Sequence, residues 1–212
     1  MKPLEILDEY SDTDEGIIEH LQDKGYKLLG QGVDQTAFLE PGSKTVLKIF
    51  GTQDDARAPK KKTGKPTFSE DHMMFFRWAK YCNKHASNPF LPKFSGFESF
   101  YWNGQVYLQI RQERMYGLKF HLGYMLADMA DCAESQLDFN EMLDQIDSSY
   151  DTELKRLKQQ VGMSGLKLLY KTIDKITNIG EEKGWTQDLH DGNFMSRTPD
   201  GQTPVIVDPW VV

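Results

Sequence analysis

The sequence predicts an α+β protein, with a five-stranded antiparallel sheet and one helix in its first half and a mostly helical second half. Three observations carry that expectation. Between Tyr26 and Phe50 the apolar residues fall in short β-type segments broken by Gly30, Gly32 and Pro41-Gly42-Ser43. Asn103-Gly104, between two further β-type runs, is a two-residue hairpin signal. Leu166, Leu169, Tyr170, Ile173 and Ile176 recur at helical spacing.

The elements follow in order. Ile17, Ile18 and Leu21 predict a short helix over Asp14 to Lys24, with Gly25 as its stop. Tyr26 and Leu28, Ala37 to Leu39, and Val46 to Phe50 predict three antiparallel strands. Gly51 to Thr67 reads as a polar loop in which Arg57, Lys60, Lys61, Lys62 and Lys65 crowd around Pro59, Gly64 and Pro66. Phe68 to Lys84 returns to helical spacing, and its apolar face, Met74, Trp78, Tyr81 and Cys82, also includes Glu70. Strands over Phe94 to Tyr101 and Gln105 to Gln112 complete the sheet. No Lys or Arg lies between Lys119 and Lys155, where acidic residues from Asp128 to Glu153 recur at roughly helical intervals and predict an acidic helical surface. The helix through Leu166 to Ile176 ends near Gly184. A polar loop then leads to a Pro-Asp-Gly turn at Asp200 and the strand Val205-Ile206-Val207.

Composition narrows the function. The 212 residues are 39% hydrophobic, enough for a real core in one domain or two small lobes. A net charge of -7 argues against coating nucleic acid or an anionic membrane. The acidic start carries no apolar run behind a positive flank, so the expectation is a soluble protein of the cytoplasm. Cys82 and Cys132 have no CxxC spacing, which points away from a zinc knuckle or a disulfide framework.

Five features bear on chemistry. Gly30-Gln31-Gly32 between two strands lets backbone amides approach a phosphate, although an ordinary turn would read the same way. Lys48 in Val46-Leu47-Lys48-Ile49-Phe50 is costly to bury unless paired, unless it lies on an edge strand facing solvent. Glu70 is its natural counter-ion, or else a helix-start carboxylate favoured by the dipole. Asp188 and Asn193 have the D-x-x-x-x-N spacing that pairs a group orienting a hydroxyl with a metal ligand. Asp208 follows an apolar strand and offers hard oxygen ligands to Mg²⁺. Turn capping by Asp and Asn is the plainer reading of these last two features.

In this order, with a hairpin between Asn193 and Asp208, the residues resemble the protein-kinase-like fold. DLHDGNFM followed by VIVDPW is most similar to the compact kinase-like proteins of tailed bacteriophages, and the DLHxGN form also resembles aminoglycoside-type phosphotransferases. The resemblance implies a minimal bilobal fold: an N-lobe over 1–115 and a reduced helical C-lobe over 116–212. It implies that Lys48 and Glu70 form a phosphate-positioning ion pair, with Gly30 and Gly32 in the phosphate loop. Asp188 would be the catalytic base, and Asn193 and Asp208 would hold Mg²⁺. The backbone from Gln112 to Met115, through Glu113 and Met115, would bind the adenine of ATP. The expected activity is ATP- and Mg²⁺-dependent phosphorylation of a host protein on Ser or Thr. The alternatives are a small-molecule phosphotransferase and an inactive module that binds a host protein. His190 reads as a packed loop histidine in preference to a base.

The pattern also departs from that family. Gln35 stands where a third glycine is common, and Thr186-Gln187 replaces the His-Arg before the catalytic aspartate, which removes an arginine that would pair with a phosphorylated activation segment. Pro209 after Asp208 biases that aspartate towards extended backbone and disfavours large flips. Only Pro209, Trp210, Val211 and Val212 follow Asp208, so if ATP binds, the acceptor is expected on other surfaces, such as the basic 57–65 loop or the acidic 128–153 stretch, although a solvated face is the favoured reading of both charge runs.

Overall fold

A computed structural model describes residues 15–31, 35–51, 68–102, 105–201 and 203–211. The chain divides into two compact units, one formed by Met1–Phe76 with Lys93–Arg114 and the other by Arg77–Pro92 with Met115–Val212. The segment Arg77–Pro92 therefore belongs with the second unit, an assignment that a single division at 115/116 does not capture. The helix over Glu70–Lys84 contributes residues to both.

The first unit is an α+β layer structure around a five-stranded antiparallel sheet. Its elements are α1 (Glu15–Asp23), β1 (Lys27–Gln31), β2 (Thr36–Leu39), β3 (Thr45–Phe50), the start of α2 (Glu70–Lys84), β4 (Phe94–Trp102) and β5 (Gln105–Glu113). The strand order is β1-β2-β3-β5-β4, so β3 is central and β4 is an edge. Alternation along β3 sends its residues to two covered faces. Leu47 and Ile49 join Phe38, Tyr107 and Ile17 of α1 in one buried cluster. Phe50 packs against Phe75 and Phe76 of α2 on the opposite face, with ring centroids 5.1 Å apart in each case. The β2–β3 turn rests on Gly42 at φ 66°, with the Ser43 N–H donating to the Glu40 carbonyl. The Asn103-Gly104 hairpin signal and the basic 57–65 loop lie outside the described residues.

The second unit is mostly helical. After β6 (Tyr116–Gly117) come α3 (Phe120–Glu134) and α4 (Phe139–Lys183), then β7 (Thr186–Gln187), a 3₁₀ turn at Asp191–Asn193, β8 (Phe194–Ser196), β9 (Pro204–Ile206) and β10 (Trp210–Val211). The acidic stretch is helical as expected, and it is divided between α3 and the start of α4. Met125, Leu126 and Met129 of α3 are buried, as are Met142 and Ile146 of α4, while Asp131, Glu134, Glu141, Asp144 and Asp151 are exposed. The start of α4 is fixed by a capping box: the Asp138 side chain accepts from the Asn140 and Glu141 N–H groups, and Glu141 accepts from the Asp138 N–H. Tyr150 and Gly162 leave helical geometry and break α4 into three stretches, and Gly184 closes it in the left-handed conformation. No helix among the described residues is long and apolar enough to cross a membrane.

Candidate active site

In the second unit, backbone pairing joins the D-x-x-x-x-N loop to the segment around Asp208. β7, just before the loop, pairs with β10, matching Gln187 to Trp210 and Thr186 to Val211. The Asp188 N–H donates to the Pro209 carbonyl at 2.9 Å, and the Val207 N–H donates to the Asn193 carbonyl at 2.9 Å. Pro209 has no N–H of its own, so this contact uses the acceptor that a proline retains. β8 and β9 form the hairpin expected between Asn193 and Asp208, with Phe194, Met195 and Ser196 opposite Ile206, Val205 and Pro204. The flanking backbone of all three predicted polar residues is thus tied together.

The side chains are fixed to different degrees. Asn193 Nδ2 donates to the Asp188 carbonyl at 2.6 Å and to Asp188 Oδ2 at 2.8 Å. Those bonds occupy the amide's donor end, and Asn193 Oδ1 accepts no hydrogen bond among the described residues. Asp188 Oδ1 lies 3.7 Å from His190 Nε2. Asp208 is half-buried. Burial pushes the nearby Cys82 thiol far above the usual thiol range, and the negative charge of Asp208 adds to the rise. Trp210 is buried, donates from Nε1 to the Ile176 carbonyl at 3.1 Å and meets Trp78 edge-on at 5.3 Å, which anchors the residues after Asp208.

His190 differs from the packed loop histidine expected. Its side chain is 58% exposed, and Nδ1 accepts from the Gly192 N–H at 3.0 Å, capping the 3₁₀ turn. An accepting Nδ1 puts the proton of the neutral ring on Nε2. Gly192 is required for this cap, because a Cβ there would lie 2.7 Å from His190 Cε1.

The first unit carries the remaining predicted residues. Lys48 is on the central strand, not an edge, and its Nζ lies 4.4 Å from the centroid of Phe75 on α2. Glu70 does not lie on the buried face of α2; it is the exposed first residue of that helix and forms no ion pair with Lys48. The reason is positional: α2 turns its sheet-facing side towards Phe50 with Phe75 and Phe76, a turn or more beyond Glu70. Gly30 is a strand residue paired with Ala37 after a bulge, and Gly32 lies outside the described residues. Gln35 is half-buried, and its Oε1 is buried without a hydrogen-bond partner among the described residues. The Glu113 N–H donates to the Lys93 carbonyl, and Met115 opens the second unit as a half-buried residue outside any strand. Sequence reasoning missed the capping role of His190 and the backbone acceptor of Pro209; neither has a spacing signature.

No group of three or more His, Cys, Asp and Glu side chains among the described residues is arranged to hold a metal ion. The amide oxygen of Asn193 and the carboxylate of Asp208 are both hard oxygen donors, on segments joined by the Val207 N–H to Asn193 carbonyl bond. Hard oxygen donors of that number suit Mg²⁺, which fills its octahedron largely with waters and phosphate oxygens. No protein-family model matches the chain, and no curated protein matches it.

Proposed function

We propose that the protein is an ATP- and Mg²⁺-dependent phosphotransferase with a minimal bilobal kinase-like fold, and that it phosphorylates a Ser or Thr hydroxyl of a host protein in the manner of the compact phage kinases. The observation that carries this reading is the tie between the Asp188 loop and the Asp208 segment, through the Asp188 N–H to Pro209 carbonyl bond and the Val207 N–H to Asn193 carbonyl bond. Lys48, held on a central strand, supports it as the phosphate-binding lysine.

In this reading the acceptor hydroxyl donates its hydrogen bond to Asp188. The hydroxyl oxygen bonds to the γ-phosphorus, the bond from that phosphorus to the leaving oxygen of ADP breaks, and the proton passes to the Asp188 carboxylate. Asn193 Nδ2 donates to Asp188 Oδ2, which leaves Oδ1 as the less engaged oxygen for the proton. His190, capping the 3₁₀ turn, holds the loop in shape and is a positioning residue. Asn193 Oδ1 and Asp208 would hold Mg²⁺, which when bound supplies charge neutralisation for the phosphates. Most of the rate enhancement then comes from positioning and electrostatics.

The test is equilibrium binding of ATP with and without Mg²⁺ to the wild type, Lys48→Ala and Asp208→Ala. The expected result is Mg²⁺-enhanced binding that Lys48→Ala weakens and whose Mg²⁺ enhancement Asp208→Ala removes. Absent ATP binding, or affinity indifferent to all three changes, would contradict the reading.

A further inference from the structure

A cavity in the second unit brings together the two cationic ends of the acidic stretch. It has a volume of about 480 Å³ and is bounded by Lys119 and His121 at the start of α3, by Glu153, Arg156 and Gln160 on α4, and by Gly201 in the β8–β9 turn. No Lys or Arg lies between Lys119 and Lys155 in sequence. Lys155 is engaged by Asp151 in an ion pair at 2.7 Å. Lys119 and Arg156, by contrast, have no ion pair or side-chain hydrogen bond among the described residues. Two cations without an ion-pair partner among the described residues therefore line one concavity, which also carries the Glu153 carboxylate, in a protein whose net charge is -7.

The walls are built rather than incidental. The stretch of α4 carrying Glu153, Arg156 and Gln160 is set off by the breaks at Tyr150 and Gly162, and Leu154 and Leu157 bury its inner side. Gly201 has φ 68°, and a Cβ there would lie 2.9 Å from the Gly117 carbonyl oxygen, so the turn closes directly on the backbone before α3. α3 itself starts without a side-chain cap and without an acidic residue in its first turn, so its dipole adds to the positive sign supplied by the side chains.

A cavity of this size takes a small molecule. Arg and Lys together suit a phosphate, with the planar guanidinium able to bind two of its oxygens. The Glu153 carboxylate in the same wall would repel a bare anion but is able to accept a hydrogen bond, which favours a ligand that also carries hydroxyl groups. We propose that this cavity binds a small phosphate monoester bearing hydroxyls, with the phosphate on Arg156 and Lys119 and a hydroxyl on Glu153. The site is independent of the reading of Asp188 and Asp208.

The test is calorimetric titration of the full chain, without Mg²⁺, using glucose 6-phosphate and, as the control lacking the anion, glucose. The wild type is expected to bind the ester and not the sugar. The double variant Lys119→Gln/Arg156→Gln, with its fold checked by circular dichroism, is expected to bind at least roughly tenfold more weakly, since it loses charge-assisted hydrogen bonds. Glu153→Gln is expected to weaken the ester several-fold while leaving inorganic phosphate unweakened. Lys48→Ala is expected to leave ester binding unchanged. No binding by the wild type, undiminished binding by the double variant, or loss of binding in Lys48→Ala would overturn the proposal.

Discussion

Asp188 is held by two kinds of bond that do different work. Its N–H to the Pro209 carbonyl places the backbone, and the bond from Asn193 Nδ2 to Oδ2 orients the carboxylate. On the proposed mechanism, replacing Asp188 with Asn keeps the shape and removes the base, so phosphoryl transfer should fall by about 10² to 10⁴-fold, measured as single-turnover rate. His190 separates from Asp188 in the same assay: His190→Asn, which retains a capping acceptor, should stay within a few-fold of wild type, whereas a general base would lose far more. Two tyrosines give a pH prediction. A hydrogen bond to Asp128, followed by burial, pushes the Tyr150 hydroxyl up to about 12. Burial pushes Tyr170, whose hydroxyl donates to the Leu137 carbonyl, up to about 12 as well. Raised above an unfolded value near 10, both contribute stability that is fully present below pH 10 and lost as pH rises towards 12. The urea midpoint should fall across that window, and Tyr170→Phe should flatten the fall.

At the scale of elements, α4 depends on a few local devices. Asp138→Ala removes the capping side chain and should cost about 1 kcal/mol in denaturant unfolding. Gly162, at φ 71° and ψ 169°, occupies a region that side chains avoid, and Gly162→Ala should cost about 1–3 kcal/mol although nothing crowds the missing Cβ. Much of this level was legible. Short β-type runs separated by Gly and Pro read as strands because a strand buried on one or both faces needs closely spaced apolar residues, and β1 to β5 occupy nearly the expected positions. Lys48 was ambiguous because strand rank in a sheet is a tertiary property; pairing with both β2 and β5 makes β3 central. Glu70 misled because helical spacing from Met74 says which residues share a face but not where the helix meets the sheet. The breaks at Tyr150 and Gly162 were illegible, since a helix period continues past an irregular residue when the flanking apolar residues still face one core.

Over the whole chain, each unit has its own core, and the second includes a segment, Arg77–Pro92, that sequence order alone would give to the first. Trp78 explains that assignment, because it is buried against Trp210 near the other end of the chain. Trp210→Ala should destabilise the second unit by about 3–5 kcal/mol and, by loosening the β7–β10 pairing, reduce activity as well. The candidate site was legible as a list of residue types in order, and its loop and hairpin are joined by main-chain bonds that no spacing rule encodes. The cationic cavity was illegible for the same reason, since Lys119 and Arg156 meet only through the packing of α3 on α4. The most direct measurement is transfer of label from γ-labelled ATP with Mg²⁺ to a cell lysate by the wild type, Asp188→Asn and Asp208→Ala. The account predicts labelled proteins with the wild type alone; no labelling by the wild type, or equal labelling by all three, would contradict it.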